Sequence, residues 1–454
     1  MSDTFLVGCG AGFSGDRVDA ALPVVRALVR SGKPAALIFE TLAERTLALG
    51  HRARTRDSAL GYEPLLPEFL PPIVSECVSN RIPIISNFGA ANPWAAARLI
   101  REMAADAGLT SLRIAVVAGD DIRESLDLSK LAVCEGDSSL VGNESEVLAA
   151  NVYLGAKPIA DALRAGAQIV VTGRVADPAL VLGPLVAHFG WPWNDLEKMA
   201  AGTLAGHMLE CGAQVTGGYF GDPGYKDVPS PELIGFPIAE VSRDGTVVIT
   251  KPVGTGGIVD LRTVKEQILY EIHDPAAYLT PDVTLDISDA EVTLVGPDRV
   301  QISGYRGHPA PPTLKATVSY PGDWFGEAEI SYGGPNALAR AQLAADTVRK
   351  RIALREIPVR IRLDLIGTQS IFDSTAGALG ANGVAEPGEV RMRLAVSGET
   401  QKPVERSLQE VLALYTCGPA GGGGVRTRVE HRVKTVSYLV PRNAVTPTFC
   451  FLEA

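Results

Sequence analysis

The sequence predicts an α/β fold: an N-terminal, mostly parallel sheet with flanking helices, followed by an α+β C-terminal part. Three observations carry this. In the first part, short apolar runs alternate with helical patterns, as in a parallel sheet covered on both faces. Beyond Pro223 the chain turns to short strand-like runs separated by turn residues. At 454 residues it exceeds what one compact core accommodates. The expected division is 1–211 as the α/β domain and 212–454 as the α+β domain, with a sub-boundary near 335.

In the first part, strands are expected at Thr4–Gly8, Ala35–Phe39, Ile82–Ser86, Leu112–Ala118 and Gln168–Thr172, each an apolar run. Helical patterns lie between them at about Arg17–Ser31, Phe69–Ser79, Pro93–Ala107 and Pro158–Ala165. The strand ends carry the chemistry: GCGAGFSGDR at Gly8–Arg17, then Glu40, SNFGAANPW at Ser86–Trp94, Asp120 with Asp121, and TGRVADP with Arg174 and Asp177. Parallel sheets bind ligands outside the carboxyl ends of their strands, so five such ends suggest a shared cleft; small polar residues are also simply common in turns. The glycines of the first loop only loosely match the dinucleotide spacing, and Glu40 lies late for the acidic partner. A carboxylate or other anion held by that turn fits better than a nicotinamide cofactor. Asp16 and Arg17 could instead form a cap and a surface ion pair. Asn92 precedes Pro93 as an N-cap.

A helix is expected over Asp195–Cys211, with His207 and Glu210 three residues apart on one face. The pair reads either as a buried hydrogen-bonded couple or as a general acid/base pair. H-x-x-E supplies only two zinc ligands, and Cys211 as a nucleophile is weakly signalled. A glycine-rich run through Gly217, Gly218, Tyr219 and Lys226 follows. Two strands, Pro237–Val241 and Thr246–Lys251, flank an Asp-Gly turn. GTGG at 254–257 precedes a helix at about Thr263–Ile272 and suits either an anion or a plain turn. Strands are then expected at Val283–Ser288, Glu291–Val295, Arg299–Tyr305, Leu314–Tyr320, Gly326–Tyr332, Val359–Ile366, Glu389–Val396 and Val433–Val440. Helices are expected at Pro335–Ala353 and Pro403–Tyr415. CGPAGGGG at 417–424 is either a linker or a backbone lying against a ligand or another segment.

Composition narrows the function classes. A net charge of −10 without a Lys/Arg block argues against nucleic acid. The longest apolar runs fall short of the roughly 18 residues that span a membrane, and the start of the chain lacks a basic leader. Six scattered cysteines with no C-x-x-C pair suggest reduced thiols and a cytoplasmic location.

Several long stretches together resemble the acyclic terpene utilisation protein A (AtuA) family. They are GFSGDR at 12–17, TGRVADPALVLGP at 172–184, AGTLAGHMLECGAQVTGGYF at 201–220, PGYKDV at 223–228, FPIAEV at 236–241, KPVGTGG at 251–257 and LYEIHDPAAYLTPDV at 269–283. The resemblance implies a catabolic role on branched terpenoid acids handled as CoA esters, as a hydratase or lyase of a 3-hydroxyacyl-type intermediate. Some members carry a small C-terminal ferredoxin-like domain that this sequence lacks, which implies a separately encoded small ferredoxin-like subunit or a site completed by another subunit; a homo-oligomer is also expected. The expectation is therefore acid–base catalysis on a small carboxylate or branched acyl-CoA. His207 and Glu210 would transfer protons, and Tyr219 and Lys226 would act as acid or enolate stabiliser. Gly10, Gly12, Asp16, Arg17, Asn87, Asn92, Arg174, Asp177, Gly217, Gly218, Gly256 and Gly257 would bind substrate. No metal ligand or cofactor is assigned, although Asp120, Asp121 and Asp177 could hold a divalent ion. The alternatives are an acyl-CoA-binding subunit and an NAD-linked oxidoreductase.

Overall fold

The computed structural model describes residues 3–125, 127, 130–136, 146–368 and 387–453. They divide into two compact units, 1–319 with 435–454, and 320–434. The first unit is built on a ten-stranded sheet. Its five central strands are mutually parallel, in the order Thr4–Ala11, Ala35–Phe39, Ile84–Ser86, Ile169–Val171 and Ile114–Ala118. These strands are almost wholly buried, which is why they appear as unbroken apolar runs.

Antiparallel strands extend the sheet on both sides. Ile238–Ser242 pairs with Thr4–Gly8, Val247–Thr250 with Ile238–Ser242, and Arg299–Ser303 and Glu291–Gly296 follow. On the other side Thr448–Phe451 pairs with Ile114–Ala118. The boundary expected at 211/212 does not coincide with the division into units. Ile238–Ser242 bonds directly to the first strand, so the sheet continues straight through that point.

The helix Leu196–Glu210 is the centre of this unit. Every residue from Met199 to Glu210 is buried, because it packs against the helix Ala179–Phe189, the first strand, Ile238–Ser242 and a small three-stranded sheet that includes Thr284–Asp286 and Arg306–His308. A helix apolar on all sides needs such a surround. The helix Ala179–Phe189 was not expected from the sequence; it is apolar except for His188 and has Pro184 inside it.

The second unit is α+β. Glu389–Gly398 pairs antiparallel with Trp324–Gly333 and with Arg360–Ile366. The helices Ala337–Leu354 and Gln401–Leu412 cover this sheet through a core that includes Ala341, Val348, Met392, Leu394 and Leu408. Two short strands were expected at Leu314–Tyr320 and Gly326–Tyr332. One strand, Thr313–Gly333, runs through both, paired with Ala149–Val152 before Pro321 and with Glu389–Gly398 after Gly322. The glycine run at 417–424 is not a free linker. Gly422 opens the strand Gly422–Pro441, and a Cβ there would meet Ile330 and Tyr332 at 2.9–3.0 Å.

Candidate functional site

The central helix and the parallel strand ends meet within the first unit. His207 Nδ1 lies 2.9 Å from Glu210 Oε1, and His207 Nε2 lies 3.2 Å from the Ile268 carbonyl. A carbonyl only accepts, so Nε2 carries hydrogen. Burial pulls the His207 pKa down, but the Glu210 carboxylate more than offsets this and the net shift is upward. With His207 only 1% exposed and both ring nitrogens engaged, it has no lone pair to offer a substrate. Glu210 is 7% exposed, and its Oε2 has no hydrogen-bond partner among the described residues.

The loop after Ile169–Val171 supplies a buried guanidinium. Arg174, 3% exposed, donates from Nη1 to the Leu42 carbonyl and pairs through Nη2 with Asp177 Oδ1 at 3.2 Å. Its guanidinium carbon sits 3.9 Å from the Tyr153 ring centroid, and its Nε has no hydrogen-bond partner among the described residues. The Arg174 backbone N–H donates to Asp120 Oδ2 at 2.8 Å, and the Asn151 amide donates to the same oxygen at 2.9 Å. Asn151 Oδ1 accepts in turn from His51 Nε2 at 2.9 Å.

Carboxylates surround this cation. Burial raises Glu40 to about 7, a rise that Arg174 only partly offsets. Burial pushes Asp177 well above the usual carboxylate range, and the charges of Glu40 and Glu210 push it further against the pull of Arg174. Glu44 goes the other way: burial would raise it, but Arg174 and the Tyr153 hydroxyl hold it below its ordinary value. Burial raises Asp120 to about 6.

A cavity of about 650 Å³ opens onto this cluster. Its polar wall includes Asp177, Tyr153, Tyr278 and Lys315. Its apolar wall includes Ala176, Ile272, Ala277, Leu279, Leu314 and Leu439. The Tyr278 ring lies 5.4 Å from the His207 ring, centroid to centroid, so the His207–Glu210 pair stands behind it. Burial, and then the nearby Glu210 and Asp177 charges, raise the Tyr278 hydroxyl and keep it protonated. His207, Glu210 and the Arg174 loop all belong to the first unit and lie near one another around this cavity.

The other expected residues are placed elsewhere. Tyr219 is exposed, and Lys226 pairs with Glu266 at 2.5 Å and lies over Phe220, so neither is grouped with His207. The Gly10–Arg17 loop does hold a carboxylate, but it is the chain's own: Asp16 accepts from the Gly12 and Arg17 backbone N–H groups, each at 2.8 Å. A Cβ on Gly10 would strike the Phe39 ring, and one on Gly12 would come within 2.2 Å of the Gly212 nitrogen. Arg17 pairs with Asp19 and donates to the Ile234 carbonyl. Asn92 caps its helix, accepting from Ala95 N, and donates to the Ser58 and Leu60 carbonyls. Gly217 and Gly218 pack on Val228 and on Ala213, and Gly256 and Gly257 on the backbone at Ser230 and Thr216. Asn87 does join the cluster: it donates to Glu40 Oε1 at 2.8 Å and accepts from Thr41 N. Asp121 is exposed beside Asp120.

Sequence reasoning missed Tyr153, Tyr278, Glu44, Lys315, His51 and Asn151. The density of Glu271, His273, Asp274 and Tyr278 in one short stretch was the available signal, since all four line the cavity. Among the described residues, no group of three or more His, Cys, Asp or Glu is arranged to hold a metal ion. Burial and Glu210 raise the Cys211 thiol, which leaves it a poor nucleophile.

A family model described as acyclic terpene utilisation family protein AtuA matches residues 5–451. No curated protein matches the chain. Among solved structures, the de novo designed protein Foldit4 aligns with 24% of this chain and 96% of its own, at 13% identity and a TM-score of 0.16. A likeness that slight carries no argument about the fold.

Proposed function

The chain belongs to the acyclic terpene utilisation (AtuA) family, and from that premise we propose that it is a lyase or hydratase acting on branched 3-hydroxyacyl or enoyl thioesters. One observation carries this reading: a largely apolar cavity of ligand size with one Arg-held carboxyl and two tyrosines in its wall. Adding or removing water beside a carbonyl needs a group that exchanges protons with the α-carbon and the hydroxyl. It also needs a donor at the carbonyl oxygen as enolate charge develops.

Asp177 takes the first role. Its burial raises its pKa, so it can give a proton to the leaving hydroxyl and take the α-proton in return, ending as it began. Tyr278 takes the second through its protonated hydroxyl. Arg174 orients Asp177 by the 3.2 Å pair. His207 and Glu210, assigned proton transfer on the sequence alone, become positioning groups behind Tyr278. The apolar wall suits a branched acyl chain.

The test is steady-state kinetics of the purified chain on CoA thioesters of branched 3-hydroxy and 2-enoic acids. Turnover is expected, and Asp177→Asn should lower kcat by about a hundredfold or more, the scale of a lost acid–base group. Absence of turnover on every such thioester, or an unchanged kcat in Asp177→Asn, would overturn the reading.

A further inference from the structure

A second cavity, of about 390 Å³, lies at the opposite end of the parallel sheet. Phe5 and Ala35 line it from the starts of their strands, and Pro83 and Gln168 stand directly before Ile84–Ser86 and Ile169–Val171. The helix Ala179–Phe189 begins beside Asp177 and Pro178 in the 650 Å³ cavity. Its last turns put Pro184, Ala187 and His188 into the wall of the second, roughly 15 Å further along the helix axis.

This wall is mostly carbon. Phe5, Val78, Ile82, Leu163, Pro184 and Ala187 contribute to it, and the His188 ring lies 4.5 Å from the Phe5 ring. Cys77 is buried there, and burial pushes its thiol up to about 12, so it behaves as a small apolar group.

The charged groups in the wall are Arg81 and Arg164, and among the described residues no acidic side chain lines it. Arg164 is held in place by donating to the Val186 carbonyl at 2.9 Å. Arg81 is exposed, and its guanidinium has no hydrogen bond or ion pair among the described residues. Its backbone is left-handed, φ +56°, where the helix Val74–Ser79 ends with Arg81 N donating to Val78 O and Ile82 N to Cys77 O. Such a helix end favours glycine, so an arginine there is strained, and no described contact of its side chain offsets the strain. Gln168 Oε1 accepts from Arg113 N at 3.0 Å, which leaves the Gln168 NH2 group to donate.

The charges around the wall do not reverse this balance. Asp161 is shared by Lys157 and Arg164, and Asp3 lies 3.9 Å from Arg243. Glu76 precedes Cys77 in sequence and raises its thiol, but does not line the cavity. Lys33 adjoins Pro34, and Arg113 donates to the Ala165 carbonyl beside Gly166. The surroundings are therefore net basic in a chain that carries −10. A neutral apolar ligand would leave Arg81 unanswered, and a bare phosphate would leave the carbon wall uncovered. A compact aliphatic chain ending in one carboxylate meets both. We propose that this cavity is a second ligand site, for a small aliphatic monocarboxylate whose carboxylate pairs with Arg81 and whose chain lies on Ile82, Leu163 and Pro184. This binding does not depend on the chemistry at Asp177.

Isothermal titration calorimetry of the full chain with octanoate tests this. Saturable binding with a dissociation constant below about 1 mM is expected. Arg81→Glu should weaken it by about tenfold or more, the scale of one lost hydrogen bond to a charged group, and Arg81→Lys should retain most of it. Arg81 is exposed, so Arg81→Glu should melt at the wild-type temperature. Ala187→Trp, which fills the cavity, should abolish binding, whereas Leu279→Trp, in the wall of the 650 Å³ cavity, should leave it unchanged. Octanol should bind much more weakly than octanoate. Absence of saturable binding, or an unchanged affinity in Arg81→Glu, would overturn the proposal. So would loss of binding in Leu279→Trp, octanol binding as tightly as octanoate, or displacement of octanoate by equimolar inorganic phosphate.

Discussion

Glu40 shows what burial does to a single carboxyl in this protein. Its side chain accepts from Asn87 and from the Leu42 N–H, yet desolvation still lifts it from an ordinary 4.5 to about 7. A folded-state pKa above the unfolded one means the folded state binds the proton more tightly. The stabilisation is therefore fully present below about 4.5 and is lost as pH rises through 7, an effect of about 3 kcal/mol. This group's contribution to the melting temperature should fall between about pH 4.5 and 7 and level off above that, and Glu40→Gln, which keeps the accepting oxygen, should flatten that fall. Scanning fluorimetry at several pH values reads it directly, and equal slopes for the two proteins would contradict the assignment. At this scale the sequence was only partly legible. His207 and Glu210 could be paired because helical spacing puts them on one face, and Arg174 and Asp177 because they share one turn. Tyr153 and Tyr278 come from segments far apart in the chain, and only the fold brings them together. Tyr219 and Lys226 were misleading because they follow closely on His207, although the chain carries them out to solvent.

Among the elements, the central helix Leu196–Glu210 depends on the turn that receives its end. Gly12 lies so close to Gly212 that an added Cβ would meet backbone atoms at 2.2–2.7 Å. Backbone cannot swing away as a side-chain tip can, so Gly12→Ala should destabilise by about 3 kcal/mol or more and displace the Glu210 end of the helix. Gly423→Ala, where nothing lies within 4 Å, should leave the melting temperature nearly unchanged. Thermal melts of the two variants make the comparison, and an equal effect would show that the close approach is not a constraint. The parallel strands were readable because strands buried on both faces become apolar runs. Thr313–Gly333 was not read as one strand, because Pro321 and Gly322 signal a turn locally and the strands that pair on either side of them are distant in sequence.

Taken whole, the chain is an α/β unit that holds the cavity and an α+β unit with its own core. The class of each part was legible from periodicity; the place of division was not. A sheet that changes from parallel to antiparallel pairing at its first strand looks in sequence like a change of domain, but it is one sheet. The same holds for the site: the glycine motifs stand out in sequence, whereas the cavity's wall is assembled from stretches of ordinary composition. The central claim is that substrate chemistry occurs at Asp177 in the 650 Å³ cavity and not at the glycine loops. A crystal structure of the Asp177→Asn protein with a branched 3-hydroxyacyl-CoA tests it most directly. The account predicts the acyl chain against Ile272, Leu279 and Leu314, with its hydroxyl within hydrogen-bonding distance of residue 177. An acyl group bound at the Gly10–Arg17 or 254–257 loops, with the cavity empty, would contradict it.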